Sequence, residues 1–236
     1  MATRTHFVFL MHPKEFKREK AGTGRLTHLC LSSSEIVMGA EFSRDARVQA
    51  LIEDSANFPL LVYPGAEARN LSRGELSANE IGPRRLVVFL LDATWSGARK
   101  MLRLSPNLQA LPRVMFTPQQ GSRYIIKQQP QAGCLSTLEA THELLSALES
   151  SGLDSYVEPK QLLDLFARMQ DHQIRCAADS TRAGYRHHPY KNGESLAPRY
   201  SVPGNRRRRY IKDLGTALVT KPTDAFTRSA GAPPTV

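Results

Sequence analysis

One acid stands out by its position. Asp92 directly follows Leu86–Leu91, the most apolar run in the chain, and Ala93, Thr94 and Trp95 then open a helical pattern. A carboxylate at the carboxyl end of a strand lies where open α/β sheets bind their ligands, and such a group can accept a proton from a reacting atom. A plainer account fits the same residues: Asp92 or Thr94 caps the helix and Trp95 packs in the core. A second strand-like run ends at Tyr63-Pro64-Gly65. That turn signal brings backbone close to a ligand in some sites and merely reverses the chain in many others. Thr23-Gly24-Arg25 is a third candidate, preceded by the charged stretch from His12 to Lys20. Lys14, Lys17, Arg18 and Arg25 suit either phosphate contacts or a solvated face.

Several elements must position these groups. His6–Met11 reads as a buried strand, Leu26–Leu31 as another, and Phe58–Tyr63, Leu86–Leu91 and Arg113–Phe116 as three more. Continuous apolar runs of this kind mark parallel strands covered on both faces. Ala46–Asp54 reads as a helix, and Trp95, Ala98 and Leu102 fall at helical spacing with Arg99, Lys100 and Arg103 on other faces. Ser136-Thr137-Leu138-Glu139 has the form of a capping box, continued by Leu138, Leu144, Leu145 and Leu148. A last helix follows Pro159, striped by Leu162, Leu163, Phe166 and Met169. Strands alternating with helices predict an α/β domain with a largely parallel sheet over residues 1–180. Beyond it, 181–236 lacks sustained periodicity and reads as a basic, partly irregular extension.

The charge balance of +10 over 236 residues is concentrated in that extension. From Arg182 to Lys212 nine bases face one acid, Glu194, which leaves only +2 for everything else. Four of the seven tyrosines, Tyr185, Tyr190, Tyr200 and Tyr210, are interleaved with the bases, and Arg206, Arg207, Arg208 and Arg209 form the densest point. Cations that grip phosphate beside rings that stack on unpaired bases suit RNA; a targeting or solubilising tail has a similar composition. Other classes lose ground. The chain has no phosphate loop, no dinucleotide fingerprint, no nucleophile elbow and no H-E-x-x-H. Cys30, Cys134 and Cys176 are too few and too scattered for a disulfide scaffold or a four-cysteine zinc site. No run approaches the roughly 18 to 20 apolar residues that span a bilayer, and Met1 to His6 opens no signal peptide. A soluble, cytoplasmic protein without a metal is expected.

Taken in order, the motifs resemble the DTW-domain family of RNA-modifying transferases. The D-x-T-W signature stands as Asp92-Ala93-Thr94-Trp95, and H-P-x-E…T-G as His12-Pro13-Lys14-Glu15 and Thr23-Gly24. Y-P-G stands as Tyr63-Pro64-Gly65, and L-S-T-x-E-A as Leu135-Ser136-Thr137-Leu138-Glu139-Ala140. The likeness covers roughly residues 6 to 177. It implies transfer of a 3-amino-3-carboxypropyl group from S-adenosyl-L-methionine to N3 of a uridine in RNA, with transfer RNA the first choice and ribosomal RNA the second. It also implies a fold similar to the knotted SPOUT methyltransferases, helices on both faces of the sheet.

By the same resemblance the cofactor would be held by Thr23, Gly24, Tyr63, Pro64, Gly65, Leu91, Thr94, Trp95, Leu135, Ser136 and Thr137. Asp92 would take the N3 proton or, alternatively, only orient cofactor or base. The neutral leaving group, methylthioadenosine, needs no metal. RNA would meet Lys14, Lys17, Arg18, Arg25, Arg99, Lys100 and Arg206 to Arg209. Two departures concern RNA choice more than reaction: the cysteine-rich, zinc-binding segment of many bacterial members is not seen, and a basic tract follows residue 180. A SPOUT-type methyltransferase and a non-catalytic RNA-binding module are the competing readings.

Overall fold

Six consecutive residues from His6 form the first strand, β1 (His6–Met11), and all are buried. The computed structural model describes residues 1–18, 21–127 and 134–179. After β1 come α1 (Pro13–Arg18), α2 (Thr23–Cys30), β2 (Ser34–Met38), α3 (Ala46–Glu53) and β3 (Asn57–Val62). The middle of the chain supplies β4 (Arg69–Asn70), a 3-10 turn (Leu71–Arg73), α4 (Ala78–Ile81), β5 (Arg85–Asp92) and α5 (Trp95–Leu104). It closes with α6 (Pro106–Gln109), β6 (Arg113–Met115), α7 (Thr137–Ser150) and α8 (Lys160–Ala178). The expected extension 181–236, with Arg206, Arg207, Arg208 and Arg209, lies outside the described residues.

The strands form one six-stranded sheet in the order β2-β1-β5-β3-β6-β4, and every neighbouring pair is parallel. Alternate side chains feed two cores. Phe7, Phe9, Phe58, Leu60, Val88 and Leu90 pack with Leu144 and Leu148 of α7 and Phe166 of α8 on one face. Val8, Leu10, Leu61, Val87 and Phe89 pack with Val48 of α3, Met101 of α5 and Leu108 of α6 on the other. Helices therefore cover both faces, which is why the central strands carry no polar alternation. Pro59 is tolerated within β3 because β6 pairs only from Leu61 onward, so the strand has a single neighbour, β5, at that point.

One expected element is of the wrong type. Leu26–Leu31 is not a strand but most of α2, and the neighbouring strand is Ser34–Met38 instead. The helix buries Gly24 and Thr27, one turn apart, while Leu29 is 74% exposed. Its fully buried positions are small residues, with Leu26 and Cys30 only partly buried against the core, so helical spacing rather than a continuous apolar run marks the packed side. Strand β2 escaped notice because it lies at the sheet edge and is only half-buried. The strand foreseen at Arg113–Phe116 ends at Met115.

Phe89 is fully buried in the central strand, and deleting its ring leaves a cavity that neighbouring strands cannot close. Phe89→Ala is expected to cost about 3–5 kcal/mol, read as a lower denaturant midpoint at unchanged slope.

Candidate active site

The carboxyl ends of β1, β5 and β3 lie side by side, and Asp92 is the last residue of β5. Its register partner is Met11, and the backbone N–H of His12 donates to the Asp92 carbonyl at 3.0 Å. Two helix starts close over the side chain. From α7, the Thr137 hydroxyl donates to Asp92 Oδ1 at 2.6 Å. From α2, Gly24 presses so close that a Cβ there would stand 2.3 Å from Oδ2. Only a residue without a side chain fits, which explains the glycine after Thr23. Asp92 is 8% exposed. Burial raises its pKa above the ordinary carboxylate range; the Thr137 hydrogen bond works against that, the Glu15 charge adds to the rise, and the Lys127 charge opposes it.

Thr137 is held in place by its own cap. Ser136 Oγ accepts from the Glu139 N–H at 3.3 Å, and Glu139 Oε2 accepts from the Ser136 N–H at 2.9 Å, the reciprocal pair of a capping box. Glu139 is buried and also accepts from Ser122 Oγ at 2.9 Å and the Arg123 N–H at 2.6 Å. Gln170 of α8 bonds the next turn of this segment, accepting from the Ile125 N–H and donating to the Arg123 carbonyl. The Leu-Ser-Thr-x-Glu sequence is thus one device: a cap, a hydroxyl for Asp92, and a carboxylate that fastens the approach to the cap.

Beside Asp92 lies a cavity of about 150 Å³. Tyr63 and Pro64 after β3, Leu91, Ala93 and Trp95 around the end of β5, Met115 ending β6 with Phe116 and Pro118 after it, and Leu135 and Thr137 at α7 line it, together with Val62, Leu90, Ala98 and Ala140. Trp95 is half-buried and faces this space rather than packing in the core. Arg113 sits over the Tyr63 ring, 5.8 Å from its centroid.

Six of the eleven residues expected at the cofactor therefore line the cavity: Tyr63, Pro64, Leu91, Trp95, Leu135 and Thr137. Gly24 and Ser136 instead shape Asp92 and the cap. Thr94 caps α5, its Oγ1 accepting from the Gly97 N–H at 3.2 Å. Thr23 gives its carbonyl to the Thr27 hydroxyl, and Gly65 lies beside Arg113. Met115, Phe116 and Pro118 were missed, although the rule that ligands gather beyond strand ends applies to β6 as well. Glu15 stood out only as a member of a motif, yet its charge reaches Asp92.

Of the bases expected to meet RNA, Lys14 and Lys17 are on α1 and Lys100 is exposed on α5, with Arg99 half-buried beside it. These helices follow the adjacent strands β1 and β5, whose last residues are Met11 and Asp92. Arg18 ends α1. Arg25 is engaged within the fold: its guanidinium lies over the Phe16 ring at 4.5 Å and donates to the Phe16 carbonyl.

A buried acid whose neighbours Leu91, Ala93 and Thr137 line an apolar cavity, at the carboxyl edge of a parallel sheet, makes the strand ends of this α/β protein its candidate ligand site. The DTW domain model matches residues 1–174, and the chain belongs to the DTW domain family. Its relatives include proteins named tRNA-uridine aminocarboxypropyltransferase 2. That of Macaca fascicularis is 30% identical over 86% of this chain, and that of Mus musculus is 32% identical over 74%. That of Drosophila melanogaster is 35% identical over 63%. The matches span 65%, 59% and 58% of the relatives' own lengths. No solved structure matches the chain. Among the described residues no helix is long and apolar enough to cross a membrane.

The raised pKa of Asp92 has a consequence for stability. A carboxyl group whose folded value lies above its unfolded one favours folding at low pH, and that contribution is lost as pH rises through the folded value. Asp92→Asn keeps an acceptor for Thr137 and removes the buried charge. The variant is expected to melt higher than wild type at pH 7, by about 2–4 °C per kcal/mol relieved, with the gap closing toward pH 4. Thermal unfolding over that range decides it, and an equal or lower melting temperature at pH 7 would show that the charge is not a burden.

Proposed function

We propose that this chain transfers the 3-amino-3-carboxypropyl group of S-adenosyl-L-methionine to N3 of a uridine in transfer RNA. The observation that carries this reading is the buried Asp92 carboxylate beside an apolar cavity, in a family whose matched relatives bear the name tRNA-uridine aminocarboxypropyltransferase 2. When bound, the cofactor supplies an electrophilic carbon next to a sulfonium. The residues present fit that group: Trp95, Phe116, Leu91 and Met115 offer flat and aliphatic walls, and Asp92 with Glu15 gives the neighbourhood a negative field. A SPOUT-like, knotted course of the chain belongs to the same proposal, supported by the parallel sheet and by the site at its carboxyl edge. Work on transfer RNA would place the protein in the cytoplasm.

In this reading Asp92 accepts the N3 proton as the base attacks. Burial makes its carboxylate a stronger base than one in water, which brings it closer to the pKa of the group it must deprotonate. Tyr63, Pro64 and Leu135 hold the cofactor with Trp95, and positioning selects one of the three carbons on sulfur. Lys14, Lys17, Arg99 and Lys100 give the rim a positive charge for phosphates, with the tract 181–236 as the longer-range grip.

Purified protein would be incubated with total transfer RNA and, in parallel, with ribosomal RNA, each with S-adenosylmethionine labelled in the aminocarboxypropyl carbons, and the nucleosides analysed by mass spectrometry. Label in a uridine derivative is the expected result. A methyl increment would turn the reading to a methyltransferase, and label only in ribosomal RNA would change the substrate. No label in either RNA would leave a binding module. Asp92→Ala is expected to keep cofactor binding and cut turnover about 10²–10⁴-fold; near-normal turnover would remove Asp92 as the base.

Truncation after residue 180 is expected to weaken RNA binding and flatten its dependence on salt, by nearly one unit of slope for each phosphate that is no longer neutralised. Filter binding from about 50 to 200 mM salt measures this. An unchanged slope would show that the tract does not meet phosphate.

A further inference from the structure

We propose that Thr137 is the positioning residue for Asp92, its hydroxyl holding one carboxylate oxygen while its place in the cavity wall ties that geometry to whatever occupies the cavity. The proposal rests on the reading of Asp92 given above and adds to it a residue that acts through the acid. Thr137 lines the cavity and donates to Asp92 Oδ1 at 2.6 Å. Among the described residues no other side chain hydrogen-bonds this carboxylate. Gly24 blocks the opposite side at Oδ2, so the carboxylate is anchored by one oxygen and walled at the other.

The anchor is itself rigid. Thr137 is the first residue of α7, directly after the Ser136 cap, and its carbonyl accepts from the Thr141 hydroxyl at 2.8 Å. A β-branched side chain has few χ1 choices in a helix, so the hydroxyl is aimed with little entropy left to lose. Serine in its place keeps the donor and loosens the aim; valine keeps the shape and removes the donor. The charged groups acting on Asp92 are Glu15 from α1 and Lys127 from the segment before α7. Neither substitution touches them.

Thr137→Val and Thr137→Ser would be compared by a carbon-13 titration of the Asp92 carboxyl, assigned by its loss in Asp92→Asn. Turnover against pH and cofactor affinity by calorimetry would accompany it. Loss of a donor to the charged form raises a carboxylate's pKa, so Thr137→Val is expected to titrate higher than wild type. Its acid limb of turnover should move up with it, and its turnover should fall about 10–100-fold through misplacement, with cofactor affinity within about threefold. Thr137→Ser should titrate as wild type and recover most of the turnover. A Thr137→Val titration identical to wild type overturns the proposal, as does a loss confined to cofactor affinity. If the wild type modifies no RNA, the proposed function fails, and the titration still decides the role of Thr137.

Discussion

A carboxylate withdrawn from water loses its hydration shell, and the fold must replace it with something directional. Among the described residues the replacement at Asp92 is sparse: one hydroxyl from Thr137, with the bare backbone of Gly24 against the second oxygen. The shortfall is what leaves the acid more basic than one on the surface. Every nearby element is arranged around this one group. Strand β5 delivers it to the sheet edge, α2 carries a glycine in its first turn because of it, and the first residue of α7 points a donor at it. A fully satisfied buried acid would be more comfortable and less able to accept a proton, so the partial solvation is the property that the surrounding structure protects.

The parallel sheet makes this convergence possible. When neighbouring strands run the same way, their carboxyl ends and the segments that follow crowd one edge. Segments after β1, β3, β5 and β6 therefore meet, although His12, Tyr63, Ala93 and Phe116 are far apart in the chain. The two cores on either face of the sheet keep that edge rigid, and the cavity forms where the helical layers part above it.

How much of this was legible depends on what each residue does. Strands β1, β3 and β5 could be read because burial on both faces leaves no polar interruption. The capping box could be read because its partners are three residues apart. Helix α2 could not, since its fully buried positions are Gly24 and Thr27, small residues that leave no hydrophobic signature, while its apolar Leu26 and Cys30 are only partly buried. Thr94 showed the limit of a motif: within the D-x-T-W signature it caps a helix, a task any fold demands, while Asp92 beside it carries the chemistry proposed here. The pairing of Thr137 with Asp92 joins residues 45 apart. No local pattern encodes it, because strand order and helix placement decide which distant side chains meet.

Glu139 reaches both ends of one stretch of chain, the backbone at Arg123 and the backbone at Ser136. It acts as a buckle. Thr137 keeps its place through this buckle and the helix behind it. Lengthening a closed loop costs only about 0.6 kcal/mol for each doubling. Closing this stretch is therefore inexpensive, and the tie also keeps Lys127, which lies within it, where its charge acts on Asp92. Loss of Glu139 would release the Arg123 backbone and the cap before Thr137 together, so a single carboxylate joins two distant supports of the same acid.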